Sequence, residues 1–195
     1  MTQKIISQIL QRGADVVSQL ERSCSGDAEQ AAKLIANSLK AGGKVMFCGN
    51  GGSAGDSQHL AAEFVATLDH TRPRAGLAAL ALNTDSSFIT AYSNDFGFEG
   101  IFARQVEALG KAGDVLIAIS TSGNSENVVL AAQAAAAKDI AVIGMTGNKQ
   151  GALHDSCDLV ISAPSDITMH IQECHIALGH AITAAVEILV SETQE

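Results

Sequence analysis

The chain has 195 residues, 47% of them apolar but only 4% aromatic, with no Trp, so its core must be packed with Ala, Leu, Ile and Val. That length suits one α/β domain, or one domain with a helical extension. A net charge of −9 argues against a nucleic-acid surface, and four widely spaced cysteines (Cys24, Cys48, Cys157, Cys174) form neither a zinc ribbon nor a disulfide framework.

The predicted elements begin with two amphipathic helices, 3–22 and 28–41, the second ended by Ala41-Gly42-Gly43. In the first, Lys4 and Arg12 alternate with Ile5, Ile9, Val16 and Leu20, which is a helical pattern and not a signal peptide. Short, continuous apolar runs then predict buried strands at 44–48, 77–82, 115–120, 140–145 and 158–162. Helical stretches fall between them at about 54–67, 99–110 and 126–138, and a long helix runs from Asp166 to about Glu192. This alternation predicts a doubly wound, five-stranded parallel sheet flanked by helices, with ligands at the carboxyl ends of the strands. The expected organisation is a single domain over 1–195: an N-terminal helical hairpin (1–41), an α/β core (42–165) and a C-terminal helix (166–195). No apolar run reaches the length of a membrane span, so a cytoplasmic protein without membrane or nucleic-acid partners is expected.

Two strand ends carry Gly/Ser loops. The first strand runs into Gly49-Asn50-Gly51-Gly52-Ser53 and the third into Ser120-Thr121-Ser122-Gly123-Asn124-Ser125, each followed by a helix. Unsatisfied N–H groups and the helix dipole make such junctions anion sites. Neither loop contains Lys or Arg, so a bound phosphate would be held by N–H and O–H donors. A single Ser would be read as a helix cap, but Ser53, Ser120, Thr121, Ser122 and Ser125 together point to a phosphate. Gly49-x-Gly51-x-x-Ala54 is a weak dinucleotide fingerprint, because the acidic partner would be Asp69, before the second strand and not at its end.

Beyond the first loop, His59 and Glu63 lie four residues apart, about 40° apart around one helix. The last helix carries Gln172, Glu173, His175 and His180 among Ile176, Leu178, Ala181 and Ile182, where polar side chains need partners. Two histidines, a glutamate and a glutamine suit an open N/O site for a catalytic zinc. Spacing alone leaves His175 and His180 as equal candidates. Asp85 and Asp95 follow the second strand, either as acceptors for sugar hydroxyls or as turn and cap residues.

The whole chain resembles the sugar isomerase (SIS) domain, and within it the isomerases of heptose phosphates. The residues that carry the resemblance are Cys48-Gly-Asn-Gly-Gly-Ser53, Gln58-His-Leu-Ala-Ala-Glu63, Asn94-Asp-Phe-Gly97, Gly113-Asp-Val-Leu116, Ser120-Thr-Ser-Gly-Asn-Ser125 and Ile171-Gln-Glu173 with His175 and His180. The resemblance implies a homotetramer and one zinc per subunit on His59, Glu63, Gln172 and His180. It implies substrate contacts at Asn50, Gly51, Gly52, Ser53, Asp95, Ser120, Thr121, Ser122, Ser125 and Gln172, with Glu63 as base and His180 as acid. The implied reaction converts sedoheptulose 7-phosphate to D-glycero-D-manno-heptose 7-phosphate through an enediol, as the first step of nucleotide-activated heptose synthesis for lipopolysaccharide core. Thr67, Met169 and His170 depart from the family pattern, which has Arg near 67, a basic residue at 170 and in some relatives an acid at 169. Arg72 or Arg74 is the candidate replacement for the missing charge. Two alternatives are a non-catalytic SIS protein that binds the replication initiator, and an SIS isomerase for another phosphosugar. The presence of both Glu63 and His180 argues against the former.

Overall fold

The computed structural model describes residues 1–191, so the predicted end of the last helix at about Glu192 lies just outside them. Five parallel strands form one sheet: β1 (Val45–Gly49), β2 (Ala79–Ala81), β3 (Val115–Ile119), β4 (Ala141–Thr146) and β5 (Leu159–Ser162), in the order β2-β1-β3-β4-β5. The chain reverses direction across the sheet between β1 and β3, which pair from Val45↔Val115 to Gly49↔Ile119. In doubly wound sheets, this switch point opens a crevice at the carboxyl edge.

Both faces of the sheet are covered, which is why the strands read as unbroken apolar runs. Side chains alternate along β1: Val45 and Phe47 enter the core beneath α2 (Leu20–Lys40), α3 (Gly52–Val65) and α7 (Thr168–Ser191). Met46 and Cys48 enter the opposite core, beneath α5 (Ile101–Leu109) and α6 (Glu126–Ala136). Leu116 and Ile143 are almost fully buried, and truncating either to Ala would cost about 2–5 kcal/mol.

Three differences from the sequence reading have physical causes. α1 (Thr2–Val17) and α2 are separated only by Ser18 and Gln19, whose backbone stays right-handed helical, so the expected loop at 23–27 is helix. Cys24 explains this, because it is buried and bonded to the Ser162 carbonyl, which holds the segment against the sheet. Second, an unpredicted helix, α4 (Ser86–Phe96), follows β2 and is capped by Asp85, which accepts from the Phe88 N–H at 2.9 Å. Third, α7 is long and apolar enough to span a membrane. It instead packs on α1, α2 and α3 at the centre of the fold, with Ile171, Cys174, Leu178, Ile182 and Val186 buried.

Candidate active site

The site is built at the switch point. Gly51 begins α3 with φ +58°, a left-handed conformation suited to glycine, and Gly52 lies where a Cβ would sit 3.2 Å from the Gln172 Cγ. Ser53 is buried in the first turn of α3. In the second loop, Gly123 has φ +67° and the chain wraps around Ser120, whose Oγ lies 3.0 Å from Ser125 Oγ and 3.4 Å from Ser122 Oγ. Three hydroxyls thus converge at the start of α6. Asn50 and Asn127 tie the two loops together through reciprocal amide bonds of 2.8 and 2.9 Å. The side chain of Asn50 is therefore spent on joining the loops. Asn50, Gly52, Ser53, Thr121, Thr168 and Gln172 line a cleft of about 380 Å³ with Met169 at its rim, ample for a small polar ligand.

Next to the cradle, α3 and α7 bring together residues 121 positions apart. His59 Nε2 lies 2.8 Å from His180 Nε2 and 3.5 Å from Glu63 Oε1. Gly179 makes this approach possible: a Cβ there would lie 2.6 Å from Leu60 Cδ1, so only a bare backbone lets α7 close on α3. His175, by contrast, is fully buried, its Nε2 3.0 Å from the Thr146 carbonyl at the end of β4. Burial pushes its pKa down to about 4, against the bond to Thr146. The geometry therefore makes His175 a core histidine and puts His180 in the site.

Gln172 does not turn toward this trio. Its Nε2 donates to Asp56 Oδ1 at 2.5 Å. Asp56 is 5% exposed, and its Oδ2 has no hydrogen-bond partner among the described residues. Burial raises its pKa, opposed by the bond from Gln172 and by His59 and His180 nearby. The sequence reading missed Asp56, although its place one turn before His59 was a usable signal. Asp95 is exposed on the last turn of α4, where its Oδ1 accepts from Asn94.

A metal can be tested against this donor set. Among the described residues no three His, Cys, Asp or Glu side chains are close enough to form a metal cage. Two imidazole nitrogens facing each other at 2.8 Å beside a carboxylate nevertheless have the N/N/O character that zinc takes. Ligands on a tetrahedral zinc with bonds of about 2.0–2.1 Å lie about 3.3 Å apart, close to this spacing. His59, Glu63 and His180 fit the ion; Gln172 fits only as a fourth donor that exchanges Asp56 for it.

The three departures have local explanations. Thr67 Oγ1 donates to Glu187 at 3.2 Å. His170 is buried with Nδ1 2.8 Å from Glu173 Oε2, beneath Gly13 of α1. Arg74 is nearly buried in an ion pair with Glu187 and Arg72 pairs with Asp69, so neither lies among the cleft residues.

Residues 9–147 match the SIS domain. The chain is 46% identical to the phosphoheptose isomerase of Methylibium petroleiphilum, over 98% of both chains. It is 52% identical to that of Rhodospirillum rubrum, over 84% of this chain and 86% of the other. Its fold superposes on the structure of phosphoheptose isomerase from Neisseria gonorrhoeae with a TM-score of 0.89, at 40% identity, covering 96% of this chain and all of that one. A parallel sheet with two hydroxyl loops at its switch point, and this likeness along its full length, place the chain in the SIS-domain family, among the phosphoheptose isomerases.

Proposed function

We propose that the chain interconverts sedoheptulose 7-phosphate and D-glycero-D-manno-heptose 7-phosphate, with Glu63 as base and His180 as acid. One observation carries the assignment of roles: a carboxylate and an imidazole from different helices meet beside two hydroxyl-lined loops at the sheet's switch point. The phosphate sits on Ser53, Ser120, Ser122 and Ser125, held by hydroxyls and helix N-termini in a protein of net charge −9.

The ketose carries its carbonyl at C2. Glu63 takes a proton from C1 while His180 gives one to the C2 oxygen, producing the enediol. The proton on Glu63 then returns to C2 and the C1 hydroxyl loses its proton to His180, leaving the aldehyde at C1 and both residues as they began. A divalent ion on His59, Glu63 and His180, with Gln172 as a further donor, would supply Lewis-acid stabilisation of the enediolate oxygens. Thr121 and Asp95 contact the sugar chain in this reading, and Asn50, Gly51 and Gly52 shape the cradle.

A homotetramer is part of the proposal. On α1, Ile5, Ile6, Ile9 and Leu10 are exposed, and α4 has no fully buried side chain within the described chain. Both faces require cover. The cytoplasm, and heptose supply to lipopolysaccharide core, are the setting proposed.

The test is incubation of the purified protein with sedoheptulose 7-phosphate, following the aldoheptose 7-phosphate. Conversion matching a known phosphoheptose isomerase is expected. Absence of product under conditions where that enzyme works would sink the reading.

A further inference from the structure

Arg74 and Glu187 lie outside the cleft, yet they join the two helices that carry the proposed acid and base. α3 ends at Val65, so the carbonyls of Glu63 and Phe64 are among those left without helical partners. Arg74 satisfies both: its Nη2 donates to the Glu63 carbonyl at 2.8 Å and its Nη1 to the Phe64 carbonyl at 2.9 Å. The same guanidinium donates from Nε to Glu187 Oε1 at 2.8 Å, with Nη2 2.6 Å from that oxygen. Glu187 sits on α7, two turns beyond His180. It also accepts from the N–H groups of Leu68 and Asp69 and from Thr67 Oγ1, so the strap after α3 is tied to the same carboxylate. Both side chains are about nine-tenths buried, at 11% and 10% exposure. Burial alone would raise the Glu187 pKa, but the bonds from Leu68 and Arg74 outweigh it and hold the carboxyl below its usual range.

We infer that Arg74 and Glu187 form a clamp that sets the spacing between Glu63 and His180, so Arg74 is a positioning residue for the isomerisation. The inference rests on the isomerase reading above. Only a planar fork of donors reaches two carbonyls on one helix and a carboxylate on another together; a lysine ammonium is a single point charge. The clamp acts at the backbone of the proposed base itself. It also accounts for Thr67: with Glu187 already drawn to Arg74, a small hydroxyl completes the set and a second guanidinium there would compete for the carboxylate.

The test uses the full chain with two substitutions, Arg74→Lys and the neutral pair Arg74→Met/Glu187→Met, which leaves no unpaired buried charge. Wild type and variants are assayed with sedoheptulose 7-phosphate for kcat and KM, with oligomer mass and Tm measured alongside. Because displacement of about 1 Å in a reacting group costs on the order of a hundredfold, kcat falls about 10–100-fold in both. KM stays within about twofold, since the phosphate loops lie on β1, β3 and α6. A purely structural role would lower Tm and leave kcat per folded molecule unchanged. Unchanged kcat in either folded variant, or a rise in KM alone, overturns the inference. If the Met pair does not fold, Arg74→Lys decides; if neither folds, the pair serves folding and the inference falls. An inactive wild type sinks the isomerase reading and the clamp with it, whereas an active wild type beside fully active variants sinks the clamp alone.

Discussion

His59 on α3 and His180 on α7 face each other Nε2 to Nε2 at 2.8 Å, their rings nearly perpendicular at 78°. One nitrogen must donate and the other accept for that contact to be a hydrogen bond. Two lone pairs aimed at a shared point are equally the signature of a metal site, and Glu63 Oε1 completes it 3.5 Å from His59. The purified protein is expected to hold about one equivalent of zinc per subunit by elemental analysis. Chelation should abolish turnover and added zinc restore it, with His59→Gln retaining little metal. Full activity in rigorously metal-free protein would refute this.

Glu63→Gln and His180→Gln are near-isosteric changes in residues that are neither in the core nor in an ion pair with Lys or Arg. General acid–base residues contribute about 10²–10⁴-fold, so each variant should lose at least that much of kcat. Stability should shift by no more than about 1 kcal/mol, and the oligomer should persist. Loss of the oligomer in either variant would assign that side chain to assembly.

How much of this was visible in the chain varies by element. All five strands were legible because strands buried on both faces are unbroken apolar runs, and the two Gly/Ser loops because glycine and hydroxyls at a strand end have one main use. α4 was not read, although Asp85 is a good N-cap and Phe88, Ile89, Tyr92 and Phe96 recur at helical spacing; its Ser, Asn and Asp content imitates a loop. The choice between His175 and His180 depends on rotation about α7 and on what β4 and α3 present to it, which one sequence does not encode locally. Asp56 and Arg74 stayed hidden for the same reason: each acts through a partner more than a hundred positions away.

His175 makes stability depend on pH. Its folded pKa, about 4, lies below the ordinary value of 6.5, so the unfolded chain binds the extra proton between those values. Stability from keeping it neutral is complete above about pH 6.5 and is lost as pH falls toward 4, a total of about 3 kcal/mol. Between pH 7.5 and 5, urea unfolding at fixed protein concentration should cost wild type about 2 kcal/mol more than His175→Gln, whose amide can still donate to Thr146. Equal losses in the two proteins would show that this imidazole is not the group responsible.

Gly179 decides whether the two catalytic helices can meet at all. An added methyl would lie 2.6 and 2.7 Å from the two Leu60 Cδ atoms, and Leu60 is only 1% exposed, so neither side chain has room to turn away. The helices must part instead, and the residues adjoining this contact are His59 and His180. Gly179→Ala should therefore cost about 1–3 kcal/mol, lowering Tm by roughly 2–4 °C per kcal/mol. It should also lower kcat by at least about tenfold with little change in KM, since the phosphate loops are untouched. Shrinking the partner separates this crowding from a general loss of stability. Leu60→Ala alone removes buried methyls and costs about 2–5 kcal/mol, but Gly179→Ala/Leu60→Ala relieves the clash and lets the helices close again. The double variant should be less stable than wild type yet turn over faster than Gly179→Ala. If its kcat falls further instead, the glycine is not what brings His59 and His180 together.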